Sequence, residues 1–362
     1  MRSERPVVHQ VIVGASEGDA ITHMALNLRD GLRQTCDSEV FAFWRHGLKM
    51  EKECKHLAEM PDSSEVDVLI YHLSIGLPEV HEFILGRSER MVLSYHNITP
   101  SHFYASTNPD FAQYLELGRK EVEILRSRST LALADSEFNA GELVAAGYEN
   151  VRVIPAGLDS ERLSSLDFAS VLAGRLRSRF PNGYVVAVGQ VLPHKRIDQL
   201  LTTMHLMNST YWENIGLVVC GAARQETYWA SVRRFRQRAA MVYVLFTGAV
   251  TDKELATYIR CARAFLGMSD HEGFCIPPME AASMSVPVVI KGAAAVPETI
   301  ADGALLLPAD ASPVIAAEAL HEVLNNHLLR SELIFRGLLR VRELHERKPT
   351  QATIKAIMEL AL

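Results

Sequence analysis

Short apolar runs alternate with stretches of helical periodicity along almost the whole chain, and this alternation restricts the possible folds more than any other feature. In the first half, residues 7–14 and 66–71 have the length and composition of buried strands. In the second half, residues 184–188, 216–221 and 264–268 have the same character. Repeated strand–helix units are typical of parallel sheets covered by helices on both faces. The sequence therefore predicts an α/β protein with two doubly wound, Rossmann-like parallel-sheet domains.

The 362 residues are too many for one ordinary domain and suit two domains of about 150–200 residues each. The apolar periodicity is interrupted between residues 156 and 180, where S-E-R-L-S-S-L-D is typical of a linker. We therefore place an N-terminal domain at residues 1–165 and a C-terminal domain at 166–345. Residues 346–362 contain a final helix, whose apolar face consists of Ile354, Ile357, Met358, Leu360 and Leu362.

Composition excludes several classes of partner. The net charge of −6 argues against a nucleic-acid-binding protein, which normally carries a basic domain. Five widely spaced cysteines without a C-x-x-C pair favour reduced thiols in the cytoplasm over a disulfide or zinc framework. The first residues lack the apolar core of a signal peptide, and no apolar run approaches the roughly 18 residues needed to span a bilayer. We expect a soluble cytoplasmic protein that is able to sit at the inner face of the membrane.

The stretch most informative about chemistry is 269–290, S-D-H-E-G-F-C-I-P-P-M-E-A-A-S-M-S-V-P-V-V-I. Pro277 and Pro278 suit the first turn of a helix, so we predict a helix of about two turns that begins near Pro277. Glu280 then lies in its first turns, and Glu272 lies in the preceding loop. The helix start offers N–H groups to a phosphate, and the two carboxylates suit hydroxyl groups around it. From the residues alone, a nucleotide-sugar site and an ordinary solvated loop are equally acceptable.

The pattern E-G-F-x-x-P-x-x-E-A, followed by P-V-V, resembles the E-x7-E signature of retaining GT-B glycosyltransferases. This is the glycosyltransferase family 4 type, which contains glycogen synthases and bacterial mannosyl- and glucosyltransferases. The resemblance implies that Glu272 contacts the donor sugar and Glu280 the ribose, with Gly273, Phe274 and Cys275 beside the donor. The family usually has glycine at the position of Cys275.

A second motif follows the predicted strand at residues 184–188. The segment G-Q-V-L-P-H-K resembles the family's G-R-x-x-x-x-K motif, whose arginine and lysine hold the donor diphosphate. Lys195 matches the lysine, whereas Gln190 replaces the arginine and removes one positive charge. Arg196 is adjacent and is a candidate to supply the missing charge, although neighbours at a helix start point in different directions. The alternative for Lys195 and Arg196 is a solvated basic turn.

Histidines follow two predicted strands of the first half, at the strand ends where ligands of open α/β sheets gather. His96 opens the segment H-N-I-T-P, which looks like the family's segment whose histidine reaches the donor sugar. His72 ends another strand and is a further candidate. For both, the alternative is a histidine that is hydrogen-bonded beneath a loop. His102, with Phe103 and Tyr104 beyond it, is a candidate to line the acceptor side.

The loop at 15–21 separates the first predicted strand from the first helix. Strand, glycine loop and helix make the phosphate-binding turn of doubly wound folds, although no G-x-G-x-x-G is present. In the resembling enzymes this loop closes over the donor phosphates or the acceptor, which makes Gly18 and Asp19 candidates. A tight turn is the alternative for Asp19. In the second half, Glu298 occurs in a P-E pair that the family shares, and we assign it a structural role at a helix start.

The resemblance implies two domains that face each other across a cleft, with the final helix crossing back to the N-terminal domain. It implies transfer of a hexose from a UDP- or GDP-sugar to a hydroxyl of a saccharide acceptor, with retained anomeric configuration, in polysaccharide, lipopolysaccharide or other glycoconjugate assembly. Lys195, Arg196 and the helix start after Cys275 would stabilise the leaving diphosphate, and His96 would orient the sugar. No D-x-D-like cluster stands in a suitable place, so we expect neither a metal nor a further cofactor.

Three alternatives stay open. A nucleotide-sugar 2-epimerase has the same two-domain architecture but would lack the E-x7-E pattern. A non-catalytic partner subunit is conceivable because Gln190 and Cys275 depart from the family. The acceptor is either a lipid-linked saccharide at the membrane or a soluble small molecule. Residues 45–56 are mildly basic but interrupted by glutamates, so they are poor support for peripheral membrane contact.

Overall fold

The computed structural model describes residues 5–62, 64–157, 160–211 and 213–361, without the side chains of residues 160, 161 and 361. Within these ranges, contacts divide the chain into two compact units. The first unit contains the residues up to His102, Pro109–Gly157 and the segment from Arg347 onward. The second unit contains Phe103–Asn108 and the long segment that ends at Glu346.

Seven parallel strands form the sheet of the first unit, in the order β3-β2-β1-β4-β5-β6-β7. Every residue of β4 is buried, as expected for a strand that helices cover on both faces. The order of the strands reverses beside β1, which is the arrangement of a doubly wound sheet. The strands are β1 Val8–Ser16, β2 Val40–His46, β3 Lys55–His56, β4 Val68–Leu73, β5 Arg90–Tyr95, β6 Ser129–Ala134 and β7 Val151–Val153.

Helices lie between these strands along the chain. Asp19 starts the first of them, because its carboxylate accepts a hydrogen bond from the backbone N–H of Thr22 at 2.8 Å. The helices are α1 Ala20–Leu32, α2 Leu48–Glu53, α3 Pro78–Leu85, α4 Pro109–Leu125 and α5 Glu137–Ala145. Short 3₁₀ turns occur at Leu57–Glu59, Ser101–Phe103 and Arg126–Arg128.

The second unit contains six parallel strands in the order β10-β9-β8-β11-β12-β13. The strands are β8 Tyr184–Val188, β9 Gly216–Cys220, β10 Val244–Gly248, β11 Ala264–Gly267, β12 Val288–Lys291 and β13 Leu305–Leu307. Its helices are α6 Ser160–Ser164, α7 Ser170–Arg179, α8 Ile197–Tyr211, α9 Glu226–Arg238, α10 Asp252–Arg260, α11 Ile276–Ser283, α12 Val296–Ile300, α13 Pro313–Asn325 and α14 His327–Glu346. The central strands β8, β9 and β11 pack against α8 and α13 in one apolar core.

A last helix, α15 Pro349–Ala361, belongs to the first unit and packs against α1. Ile357 is fully buried in the same cluster as Leu28 and Leu32 of α1. Met358 lies beside this cluster, with its sulfur 3.2 Å from the thiol of Cys36. Leu362, which the sequence places on the same apolar face, lies outside the described residues.

The predicted α/β class with two parallel sheets is confirmed, and two local expectations are corrected. Strand β4 runs to Leu73, so His72 lies inside the strand rather than after it. The predicted linker at 156–180 contains the helices α6 and α7, and its residues 158 and 159 lie outside the described part of the chain. Both differences arise because pairing and packing with distant residues extend order beyond the local periodicity.

Candidate donor-binding site

The loop after β11 and the helix α11 carry the two glutamates of the E-x7-E pattern. Helix α11 begins at Ile276 and has its two prolines in the first turn, close to the predicted start. Cys275, which precedes the helix, has φ 73° and ψ 75° and is therefore in the left-handed region. This conformation costs roughly 1–2 kcal/mol for a residue with a Cβ, which accounts for the glycine usual at this position in the resembling family.

Lys195 and Glu272 form an ion pair with two short contacts. Lys195 ends the 3₁₀ turn Pro193–Lys195 after β8, and its Nζ lies 2.7 and 2.8 Å from the carboxylate oxygens of Glu272. Their side chains are only 21% and 10% exposed. Burial alone would lower the pKa of Lys195 and raise the pKa of Glu272, but their attraction outweighs burial and shifts both in the opposite direction. Both groups therefore stay charged at neutral pH.

This ion pair lines an open pocket of about 380 Å³ within the second unit. The pocket lies at the carboxyl ends of β8 and β11, next to the start of α11. A phosphate there would meet a lysine and the positive end of the α11 dipole, although Pro277 and Pro278 themselves have no N–H group to donate. The structure thus brings together Lys195, Glu272 and Cys275 of the predicted site, with Gly189, Ser269 and Ile290 as further lining residues.

Glu280 lies on α11 and is paired with Arg162 of α6. Nη2 of Arg162 donates to Oε1 of Glu280 at 2.8 Å, and its Nη1 lies 2.6 Å from Oδ2 of Asp252. Burial raises the pKa of Glu280, and the charge of Arg162 offsets this only in part. The carboxylate expected at the ribose therefore has a protein cation beside it. The sequence did not indicate this partner, which stands 118 residues away along the chain.

Arg196 directly follows the lysine of the ion pair, but its side chain is bound to carboxylates. Its φ is 49°, and its guanidinium lies 3.0 Å from Asp198 and 2.6 Å from Asp270. Asp270 also accepts a hydrogen bond from the buried ammonium group of Lys291. Asp198 and Asp270 thus offset the charge of Arg196, which was the candidate to replace the arginine missing at position 190. Gln190 itself is exposed.

His96 comes directly after β5, at the carboxyl end of the first unit's sheet. Its Nδ1 lies 2.8 Å from Oδ2 of Asp135, and its Nε2 lies 2.8 Å from Nδ1 of His72. Nε2 of His72 lies 2.9 Å from Oε1 of Gln10. The side chain of His96 is 2% exposed, and the other three residues are buried. Both ring nitrogens of His96 therefore have protein partners, and the sequence indicated neither Gln10 nor Asp135.

Gly18 and Asp19 precede α1 in the first unit. Gly18 has φ 76°, which favours glycine. The carboxylate of Asp19 accepts hydrogen bonds from the backbone N–H and the hydroxyl of Thr22, at 2.8 and 2.7 Å. These contacts favour the tight-turn alternative for Asp19. Glu298 lies in the first turn of α12, where a carboxylate complements the helix dipole.

Phe103 and Tyr104 belong to the second unit, whereas the exposed His102 belongs to the first. The Tyr104 hydroxyl lies 3.2 Å from Nδ1 of His194, and the Phe103 ring packs near His194 and His271. Burial lowers the pKa of His194 to about 3, so this ring is neutral. These two histidines directly precede the lysine and the glutamate of the ion pair in sequence. The aromatic pair therefore packs against the segments that carry the charged groups.

Two possible features are absent from the described ranges. Among those residues, no group of three or more His, Cys, Asp or Glu side chains is arranged to hold a metal ion. No helix in the same part of the chain is long and apolar enough to cross a membrane. The five cysteines are free thiols.

Known proteins resemble this chain in sequence. Residues 177–338 match the family model described as glycosyl transferases group 1. O-antigen chain mannosyltransferase B of Escherichia coli is 25% identical over 279 residues, which are 76% of this chain and 71% of that protein. A GDP-mannose-dependent alpha-mannosyltransferase of Mycobacterium tuberculosis is 30% identical over 159 residues, which are 43% of this chain and 38% of that protein.

Solved structures share the fold over nearly the whole chain. Anabaena HepE in complex with UDP-glucose has a TM-score of 0.75 at 15% identity, covering 97% of this chain and 99% of that chain. Sucrose-phosphate synthase from Thermosynechococcus elongatus has a TM-score of 0.73 at 16% identity, covering 98% and 99%. At such low identity the likeness concerns the fold.

The two parallel sheets, the pocket with its ion pair and these similarities define a glycosyltransferase of the GT-B fold. Within that class, the segment 177–338, which is less than half of the chain, matches the glycosyl transferases group 1, and the family 4-type resemblance of the sequence is confirmed.

Proposed function

We propose that this protein transfers a hexose from a nucleoside diphosphate sugar to a hydroxyl of a saccharide acceptor, with retained anomeric configuration and without a metal ion. The mannosyltransferases among its relatives make GDP-mannose the first donor to test. UDP-glucose is the second, because it is bound by a protein of the same fold. The relative that builds O-antigen chains supports a role in polysaccharide or lipopolysaccharide assembly.

The ion pair of Lys195 and Glu272 is the observation that carries this proposal. Cleavage of the glycosidic bond of the donor leaves negative charge on the diphosphate. A preplaced cation in a protected pocket stabilises that charge more in the transition state than in the ground state, and only such differential binding accelerates the reaction. Lys195 is such a cation, and the start of α11 adds the positive end of a helix dipole. Together these groups supply the stabilisation that a divalent ion would otherwise give.

The two glutamates suit the hydroxyl groups of the donor. Lys195 keeps Glu272 ionised, so its oxygens can accept hydrogen bonds from sugar hydroxyls while the ammonium group faces the phosphate. Glu280 would accept from the ribose hydroxyls. Arg162 favours its ionised form before the donor arrives.

Binding of donors is the first experiment. The purified protein is heated with GDP-mannose, UDP-glucose and a panel of related nucleotide-sugars, because a specific ligand raises the apparent stability by mass action. The donor that binds is then supplied with saccharide acceptors in EDTA, and the anomeric configuration of the product is determined by NMR.

A product with retained configuration would support the proposal, and an inverted product would reject it. Conversion of the donor to its 2-epimer without any acceptor would identify an epimerase instead. A donor that binds but is neither transferred nor hydrolysed with any acceptor would indicate a non-catalytic subunit.

A further inference from the structure

Gln10 sets the direction of the hydrogen-bond chain that joins Gln10, His72, His96 and Asp135. Gln10 is fully buried, and its Nε2 donates to the backbone carbonyl of Ala25 at 3.0 Å. Exchanging the amide oxygen and nitrogen would place two acceptors against each other, so Oε1 is the atom that faces His72. An amide oxygen only accepts, and therefore Nε2 of His72 carries a proton.

The second nitrogen of His72 must then be an acceptor. Burial lowers the pKa of His72 well below its ordinary value, and the neighbouring His96 lowers it further, so the ring is neutral. A neutral imidazole has one N–H group, which leaves a lone pair on Nδ1. The separation of 2.8 Å between this atom and Nε2 of His96 therefore requires a proton on His96.

The other nitrogen of His96 faces a carboxylate. Its Nδ1 and Oδ2 of Asp135 are 2.8 Å apart, which also requires one proton between the two atoms. The pair is either an imidazolium with a carboxylate or a neutral ring with a carboxylic acid. In both forms it holds one proton more than a neutral imidazole and a carboxylate would hold.

We propose that Gln10, His72 and Asp135 are positioning residues, which keep this extra proton on the pair of His96 and Asp135 at neutral pH. His96 then has no free lone pair and cannot act as a general base. His72 and Asp135 are the titratable groups that face it in the described part of the chain. The hydroxyl of Ser94 of β5 also lies 3.2 Å from Nε2, and the pocket lined by His72 and Asp135 has the uncharged side chains of Asn27, Thr350 and Thr353 on its wall.

The consequence for catalysis rests on the proposed function. If His96 orients the donor sugar, it does so as a ring that hydrogen bonds at both nitrogens hold in place. Loss of the extra proton at high pH would leave two lone pairs facing each other in the chain. The rings would then have to move, and transfer would slow.

NMR of the full-length protein labelled with ¹⁵N-histidine, without substrate at pH 7.5, tests the proton positions. His96 is expected to carry a proton on Nε2 and to share the proton at Nδ1 with Asp135, and His72 is expected to carry a proton on Nε2 alone. Variants His72→Gln and His96→Gln identify the signals. Asp135→Asn is expected to leave His96 with one ring proton. Glu142→Gln is the control, because this carboxylate binds Tyr95 and Asn97 instead of the rings.

Two results would overturn the inference. One is a His96 without a proton on Nε2 in the unmodified protein, a result that does not depend on any variant folding. The other is a doubly protonated His96 in a folded Asp135→Asn variant.

The pH dependence of kcat/KM for transfer tests the positioning role. Asp135→Asn is expected to move the alkaline limb of the profile to lower pH, because the neighbouring negative charge is lost, and Asp135→Glu should restore much of the difference. An equal loss of activity at every pH would mean that Asp135 is merely structural, and would overturn this role. If no donor is transferred while the NMR result is as expected, the proposed function fails and the proton assignment stands.

Discussion

Lys195 is bound to one anion in the free protein and is proposed to meet a second anion when the donor binds. Its Nζ has three protons, and both oxygens of Glu272 are within hydrogen-bond distance of it. When a diphosphate accepts a hydrogen bond from one of these N–H groups, an oxygen of Glu272 becomes free to accept a hydrogen bond from a sugar hydroxyl. The ion pair thus holds both groups in place before the reaction, and such preorganisation lowers the cost of stabilising the transition state.

Replacement of Lys195 by alanine is expected to lower kcat by roughly a hundredfold or more, because removal of an oxyanion-stabilising group has effects of that size. Lys195→Arg retains the charge with different geometry and should rescue only part of the rate. Steady-state kinetics with the identified donor measure both variants. Lys253→Ala removes an exposed lysine of α10 and is the control. A raised KM with unaltered kcat would show that the lysine binds substrate and transition state equally.

Glu121 of α4 is fully buried and should make stability depend on pH. Burial raises its pKa to about 8, although Tyr71 and the backbone of Leu77 beside it lower the pKa in part. Between the ordinary value of 4.5 and 8, the folded protein binds more protons than the unfolded chain. The free energy of unfolding should therefore fall as pH rises, by about 1.4 kcal/mol per pH unit from this residue.

The variant Glu121→Gln is expected to remove most of this decline between pH 6 and 8. Urea unfolding at pH 6 and at pH 8 measures this change in the free energy of unfolding. Glu123→Gln, which changes an exposed carboxylate of the same helix, should retain the decline of the unmodified protein. An equally steep decline in a folded Glu121→Gln variant would assign the pH dependence to another group.

At the scale of helices and strands, the sequence predicted those bounds that depend on residues adjacent along the chain. The proline pair placed the start of α11, and a short apolar run gave β8 with its observed bounds, Tyr184–Val188. The partners of the site residues were not predictable, because they come from other elements. Gln10 meets His72 through the strand order, and Arg162 reaches Glu280 from α6. Periodicity within one element carries no information on such pairings.

The next prediction concerns Glu280, the buried glutamate of helix α11. Glu280→Ala is expected to weaken donor binding by about 1.5–3 kcal/mol, the value of a lost hydrogen bond to a charged group. Calorimetry with the nucleoside diphosphate measures the change. Glu332→Ala, at an exposed position of α14, is the control. Unchanged affinity in a folded Glu280→Ala protein would exclude the contact with the ribose.

At the scale of the whole molecule, transfer is expected to continue in EDTA, because we propose that Lys195 and the start of α11 stabilise the leaving diphosphate without a metal ion. Initial rates with and without the chelator, and after addition of magnesium or manganese, measure this independence. Complete loss of activity that either metal restores would contradict it.

Neither unit is one continuous stretch of the chain. The first unit resumes at Pro109 after the segment Phe103–Asn108, and it is completed only by the residues from Arg347 onward. A cut after Gly157 would therefore remove α15 from the first unit and Phe103–Asn108 from the second. A fragment that is meant to fold alone must therefore contain all the separate segments of its unit.

Helix α15 also affects how the protein is made. On the ribosome, all seven strands of the first sheet emerge long before the helix that covers Leu28 and Leu32 of α1. The nascent first unit therefore exposes this apolar surface while the second unit, whose last helix α14 ends at Glu346, is still being translated. Domains generally fold as units during synthesis, the earlier one first. Here the core of the unit that begins first is completed only after the second unit has been translated.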